Sequence, residues 1–233
     1  MPIMLLRVNL IIYHFSGRGV TMNEFLQFIV DRYPDILMVL WQHCYISFVA
    51  VLAGFIVSVP LGIFLTRAEK ISHYIIGLVN IIQTIPSLAL LGFMIPFLGL
   101  GSIPAIVALF LYSILPMLQN TYTGIKEVSP AIKEAARGMG MTDFQILFKV
   151  EIPLSISIIM GGFRTATIYT ISWATLASLI GGGGLGYLVF TGLTVSNNNM
   201  LIVGALLAAL LAAAADIATR KFQALCTPKG LRK

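Results

Sequence analysis

Residues 36–66 read ILMVLWQHCYISFVAVLAGFIVSVPLGIFLT and contain no Asp, Glu, Lys or Arg. A helix needs about 20 apolar residues to cross the roughly 30 Å hydrocarbon core of a bilayer. The run is long enough for one tilted span, and Arg67-Ala68-Glu69-Lys70 closes it. Outward from there the pattern repeats. Uncharged runs occupy 74–98, with Pro86 and Pro96, and 103–125, with Pro104 and Pro116. A fourth run at 152–180 is interrupted only by Arg164, and a fifth covers 200–215. Backbone groups in lipid must be satisfied internally, so spans are helices or closed barrels, and these runs lack the roughly ten-residue alternation of barrel strands. The sequence predicts an all-α integral membrane protein with five core transmembrane helices and room for a short extra N-terminal or re-entrant helix.

Composition agrees. Of 233 residues, 58% are hydrophobic and 10% charged, against roughly 45–50% and 25% in soluble domains. Disorder, a disulfide scaffold and nucleic-acid binding are excluded, and a cytosolic enzyme is disfavoured. The net charge of +6 is topological. Eleven of the fifteen Lys and Arg fall at 67–70, in 126–151 and in the tail from Arg220, and none in the turns at 99–102 and 181–199. With five spans those eleven share one side, cytoplasmic by the positive-inside rule, which puts the N-terminus outside and the C-terminus in the cytoplasm. Residues 1–21, short and broken by Arg7 and Asn9, read as a loose extension or the product of an upstream start. Residues 22–35 read as an amphipathic lead-in, 36–219 as the transmembrane domain and 220–233 as a basic tail.

Catalytic signatures are missing. The sequence has no phosphate-binding Gly-x-x-x-x-Gly-Lys-Ser/Thr loop, nucleophile elbow or His-Glu-x-x-His pair, so any ATP is bound by another chain. Cys44 and Cys226 have no metal-ligand spacing. Gly181-x-Gly183-x-x-Gly186 follows a span and lacks the acid about 20 residues on that a dinucleotide fingerprint needs. It reads as a flexible or tightly packed corner, or as a re-entrant dip into 185–195. Arg164, about 18 Å past Ile152 at 1.5 Å per residue, either lines a path or subunit interface or is a structural, snorkelling or carbonyl-paired Arg. Polar residues near prolines (Asn80, Gln83 and Thr84 by Pro86; Ser113, Gln119, Asn120 and Thr121 by Pro116) mark broken or kinked spans of the kind that line transport paths, or else interhelical hydrogen bonds. The candidate path residues are Gln83, Pro86, Asn120 and Arg164.

The polar segment 126–152 reads as a folded knob. Ser129 is placed to cap a helix with Pro130 at its first position, Gly138 and Gly140 end it, and Thr142-x-x-Gln145 is a capping box opening a second helix with Phe144, Leu147 and Phe148 on one side. Pro153 opens the next span.

Glu134-Ala135-Ala136, Gly140, Val150, Ile152 and Pro153 resemble the EAA-x3-G-x9-I-x-L-P motif of type I ABC-transporter permeases, with Val150 and Ile152 as conservative departures. Over about 40–219, stretches such as 82–87 (IQTIPS), 111–116 (LYSILP) and 180–186 (IGGGGLG) resemble the osmoprotectant branch of that superfamily, which moves glycine betaine, carnitine and choline. The resemblance implies a permease subunit, not an enzyme, with no cofactor of its own, in a bacterial cytoplasmic membrane. Its partners would be an ABC ATPase dimer, a second permease subunit, identical or paralogous, and a separate extracytoplasmic solute-binding protein. Glu134, Ala135, Ala136, Gly140, Met141, Thr142, Asp143 and Pro153 would form the ATPase-docking loop, Glu134 anchoring by charge and Gly140 permitting the bend. Aromatic capture of quaternary ammonium groups would lie largely in the binding protein, leaving Trp41 and Trp173 as packing or interfacial residues. A methionine or other amino-acid permease is the alternative within the class. A secondary carrier is the alternative outside it.

Overall fold

The computed structural model describes residues 22–228, all of the regular structure among them helical. The expectations for 1–21 and for the last residues of the tail lie outside the described residues. The chain runs α1 (Met22–Arg67), α2 (Glu69–Thr84), α3 (Ser87–Leu98), α4 (Ser102–Lys126), α5 (Pro130–Gly138), α6 (Asp143–Ile146), a π-helical turn (Leu147–Glu151), α7 (Ile152–Ala174), a 3-10 stretch (Thr175–Ile180), α8 (Gly186–Thr194) and α9 (Asn198–Cys226). Among the described residues, four stretches are long and apolar enough to cross a membrane: Asn23–Arg67, Ser102–Lys126, Asp143–Ile180 and Asn198–Cys226. A fifth crossing exists if α2 and α3, bent 96° against each other, count as one.

Two boundaries differ from the sequence pattern. The lead-in at 22–35 is not a separate element, because α1 continues through Pro34 and Pro60 as one 46-residue helix. The run 74–98 is not one straight span, because Ile85 adopts extended geometry ahead of Pro86, at ψ 130°. A residue preceding proline is pushed out of the α region by the proline ring. Pro116, by contrast, sits inside an unbroken α4.

At the centre of the bundle is α4, buried along most of its length. Small residues let its neighbours approach, as expected between membrane helices. A Cβ on Gly54 of α1 would lie 2.0 Å from Ser113 Oγ, and one on Gly162 of α7 would lie 2.6 Å from the Pro116 carbonyl. The glycine corner after the 3-10 stretch is tightly packed rather than loose. Gly184 N–H donates to Gln42 Oε1 and Leu185 N–H to His43 Nδ1, both at 3.2 Å. His43, fully buried, donates from Nε2 to the Ile171 carbonyl at 3.0 Å. The chain then enters α8, which packs with α1 and α9 around Ile36, Val39, Leu185, Leu188 and Val203.

Candidate functional site

The end of the bundle that carries Arg67, Lys126 and Lys133 also carries the knob. Pro130 starts α5 as expected, but the Ser129 side chain makes no cap; its carbonyl accepts from the Ile132 and Lys133 N–H groups instead. Gly140 takes φ +81°, a conformation that costs an L-residue with a Cβ about 1–2 kcal/mol, and the chain reverses there. Thr142 then builds the full capping box, its Oγ1 accepting from Gln145 N–H while its own N–H donates to Gln145 Oε1.

What the knob presents outward is mixed. Ala136 is buried, its carbonyl accepting from Met141 N–H at 3.2 Å, while Glu134, Ala135 and Thr142 are exposed and Met141 is half-buried. Glu134 forms no ion pair among the described residues. Asp143 faces Arg137 at 3.4 Å. Met139, Phe144 and Phe148 are exposed, the two rings with centroids 4.5 Å apart. The outward surface of the knob thus combines exposed apolar side chains with an unpaired carboxylate.

Behind that surface lies a residue the sequence reading passed over. Glu151 is 1% exposed, yet both its oxygens are engaged. Arg67, at the end of α1, forms a fork with it, one arm at 3.3 Å. Lys133, from α5, approaches to 3.2 Å and also donates to the Ile125 carbonyl of α4 at 3.3 Å. One carboxylate thus joins α1, the knob, α4 and the start of α7. Its backbone belongs to the π turn, where Ile152 N–H bonds back to Leu147. Pro153 supplies no N–H and crowds the preceding turn, so an inserted residue relieves the ladder and α7 begins without a break. A sequence signal existed: Glu151 is the last acid before an apolar run.

The candidate path residues do not gather into one lining. Gln83 Nε2 donates to the Tyr112 carbonyl at 3.2 Å. That carbonyl is the one Pro116, four residues on, cannot serve, so Gln83 fills the vacancy. Pro86 is exposed at the bend. Asn120 Nδ2 donates to the Pro116 carbonyl at 2.8 Å, where α4 crosses α7. Arg164 Nε meets Asp216 Oδ1 of α9 at 2.5 Å, and Arg220 holds the second Asp216 oxygen at 2.8 Å. Arg164 is thus paired with a carboxylate that the run pattern had left at the edge of the tail. Among the described residues, no group of three His, Cys, Asp or Glu could hold a metal ion.

Comparison with known proteins places these features. Residues 58–228 match the family model described as binding-protein-dependent transport system inner membrane component. The chain is 51% identical over 211 residues to the glycine betaine/carnitine/choline transport system permease protein OpuCB of Bacillus subtilis, covering 91% of this chain and 97% of that one. It is 46% identical to the carnitine transport permease protein OpuCB of Listeria monocytogenes, with 91% and 97% covered. A second Bacillus subtilis permease of the glycine betaine/carnitine/choline system, OpuCD, is 41% identical over 78% of this chain and 80% of its own. Among solved structures, an inward-facing conformation of the MetNI methionine ABC transporter superposes with a TM-score of 0.76 at 24% identity, covering 83% of this chain and 96% of that one. By the extent of the family match and the near full-length identity to its relatives, this chain belongs to the binding-protein-dependent inner membrane permeases, the membrane-embedded components of ABC importers.

Proposed function

We propose that the chain imports small quaternary ammonium osmoprotectants, such as glycine betaine, carnitine or choline, as the permease subunit of an ATP-driven system. The observation that carries this reading is the 51% identity along 97% of a Bacillus subtilis permease for that substrate set. Such compounds share a permanent trimethylammonium cation, which suits a path with few unpaired charges. In keeping with that, Arg164 and Asp216, both within candidate spans, neutralise each other.

In this reading the knob end is cytoplasmic, since the basic residues of the described loops gather there, and the glycine corner and the α1 N-terminus face outward. Five spans require α2 and α3 to count as one broken crossing. The segment 126–152 docks into a separate ATPase. Glu134 offers its free carboxylate, Gly140 the reversal, and Met139, Phe144 and Phe148 the apolar contact. Ala135, Met141, Thr142 and Asp143 flank that contact, and Pro153 starts the span that moves with it. Because ATP and solute capture reside on other chains, this one needs no cofactor. A second permease subunit completes the path, and an extracytoplasmic solute-binding protein delivers substrate. OpuCB and OpuCD relatives of one named system favour a paralogue over an identical copy. The likeness to a methionine transporter, at 24% identity, concerns the fold alone and does not favour an amino-acid substrate.

The test is reconstitution of the chain with its ATPase, second permease and binding protein in proteoliposomes. ATP-dependent uptake of labelled betaine, carnitine or choline is expected. Uptake driven by an ion gradient without ATP would return the secondary-carrier reading, and uptake competed only by methionine would return the amino-acid one.

A further inference from the structure

Three aromatic rings, Tyr112, Trp173 and Tyr169, form a row that starts at the helix break. Tyr112 is 3% exposed, and its hydroxyl donates to the carbonyl of Ile85, the residue ahead of Pro86. Its ring centroid lies 4.7 Å from that of Trp173, and Trp173 lies 5.5 Å from Tyr169. The row begins in the core and ends on an open surface, where Tyr169 is 47% exposed and Ser172 is exposed as well. Thr165, Tyr169 and Ser172 recur at helical spacing as a stripe on α7, and Leu176 continues it into the 3-10 stretch; all four retain exposure.

Depth places the stripe and the break together. Ile85 follows 16 residues of α2, about 24 Å from the knob end at 1.5 Å per residue, and Tyr169 lies about 26 Å past Ile152 on the same scale. Irregular backbone at membrane depth is tolerated only against protein or a water-filled space. Ile85 and Pro86 are exposed in this chain, so in the membrane the break faces either the second permease subunit or a water-filled space, and the ring row starts from it.

The stripe carries ring faces and hydroxyls but no formal charge; the nearest charge on α7, Arg164, is held by Asp216. An anion would find no cation there, and a metal ion would find no strong ligand. A trimethylammonium group has no N–H to donate and is held by the negative faces of aromatic rings. We propose that the open face of Tyr169, backed by the ring of Trp173, forms a transit site for the trimethylammonium group of the substrate. This rests on the substrate reading above. Because a transported solute must also leave, affinity in the millimolar range is expected.

The chain has two tryptophans, Trp41 and Trp173, so a Trp41→Phe chain in the assembled transporter isolates Trp173 once the signal of a Trp41→Phe/Trp173→Phe complex is subtracted. In nanodiscs, choline should shift this fluorescence saturably, and 3,3-dimethylbutan-1-ol, its neutral isostere, should not. Tyr169→Leu should weaken the midpoint about fivefold, within the range of a cation–π contact, and Tyr169→Phe should keep it. If the Trp173→Phe complex does not assemble, 5-fluorotryptophan in the Trp41→Phe chain, combined with unlabelled partners, gives one fluorine resonance for the same titration. A response shared by choline and the neutral isostere, or no response because the second permease or lipid covers the stripe, overturns the transit site. Uptake is measured in parallel. Transport of choline, betaine or carnitine without a Trp173 response sinks this site alone, whereas ATP-dependent uptake of none of the three sinks the substrate reading with it.

Discussion

Glu151 and Lys133 lie 3.2 Å apart across the joint between the knob and the bundle, on groups 1% and 20% exposed. Removing one partner of a buried ion pair costs about 3–5 kcal/mol, because the other charge is left behind. Arg67 is 46% exposed, so water recovers part of that loss here. Glu151→Gln is expected to lower stability by about 2 kcal/mol on that discounted scale and to release α5 from the end of α1. The check is a split between ATPase and transport. The variant complex should hydrolyse ATP faster than it moves solute, and an unchanged ratio would make the joint purely structural.

Gly140 stands at φ +81° with no atom within 4 Å of an added Cβ, so a substitution there is opposed by the backbone and not by crowding. Gly140→Ala should cost about 1–2 kcal/mol locally, and Gly140→Pro more, since proline fixes φ near −65°. Both chains should still reach the membrane, and co-purification with the ATPase should fall in the order Gly, Ala, Pro.

The Gln83 amide and Pro116 form a testable pair. Gln83→Leu leaves the Tyr112 carbonyl without a partner, at about 1–3 kcal/mol. Pro116→Ala returns an N–H to that carbonyl, so the double variant should recover most of the thermal stability lost by Gln83→Leu. Additive losses in a double-mutant cycle would show that the carbonyl was not the shared element.

Arg164→Met strands Asp216 with Arg220 alone, whereas Arg164→Met with Asp216→Leu removes both half-buried partners. If the pair is a tie between α7 and α9, the single variant should unfold at lower temperature and the double variant should regain stability, with uptake per folded transporter close to that of the parent. A loss of uptake in the stable double variant would assign Arg164 to the path.

Glu134→Arg reverses the free carboxylate of the knob. Expected are normal membrane insertion, reduced association with the ATPase and loss of coupled uptake; full transport would end the docking role.

Much of this was legible from residue order because membrane insertion constrains a sequence severely. Uncharged runs had to be helices, the capping box at Thr142 and Gln145 is a local signal, and Pro86 marked a break that the structure contains. Pairings distant in sequence were not legible. Whether a proline breaks a helix depends on what serves the carbonyl it vacates, and at Pro116 that group is Gln83, 33 positions earlier. For the same reason the sequence could place Arg164 and Glu151 but not name Asp216, Arg67 or Lys133 as their partners. Ser129 shows the converse, a cap residue by type whose helix start was served by its backbone instead.

The two bonds around Tyr112 have a mechanical consequence. Its carbonyl accepts from Gln83 before the break, and its hydroxyl donates to Ile85 at the break, so the bent segment is clipped at two points to the central helix. Sliding of α2 along α4 by even one residue would open both clips together. The bent segment and α4 should therefore travel as one rigid body whenever the transporter switches sides, with rotation taken up at Ala68, between α1 and α2. The Gly99–Gly101 turn lies within that body and is tied to the 3-10 stretch, its Gly101 N–H donating to the Ile180 carbonyl at 2.9 Å.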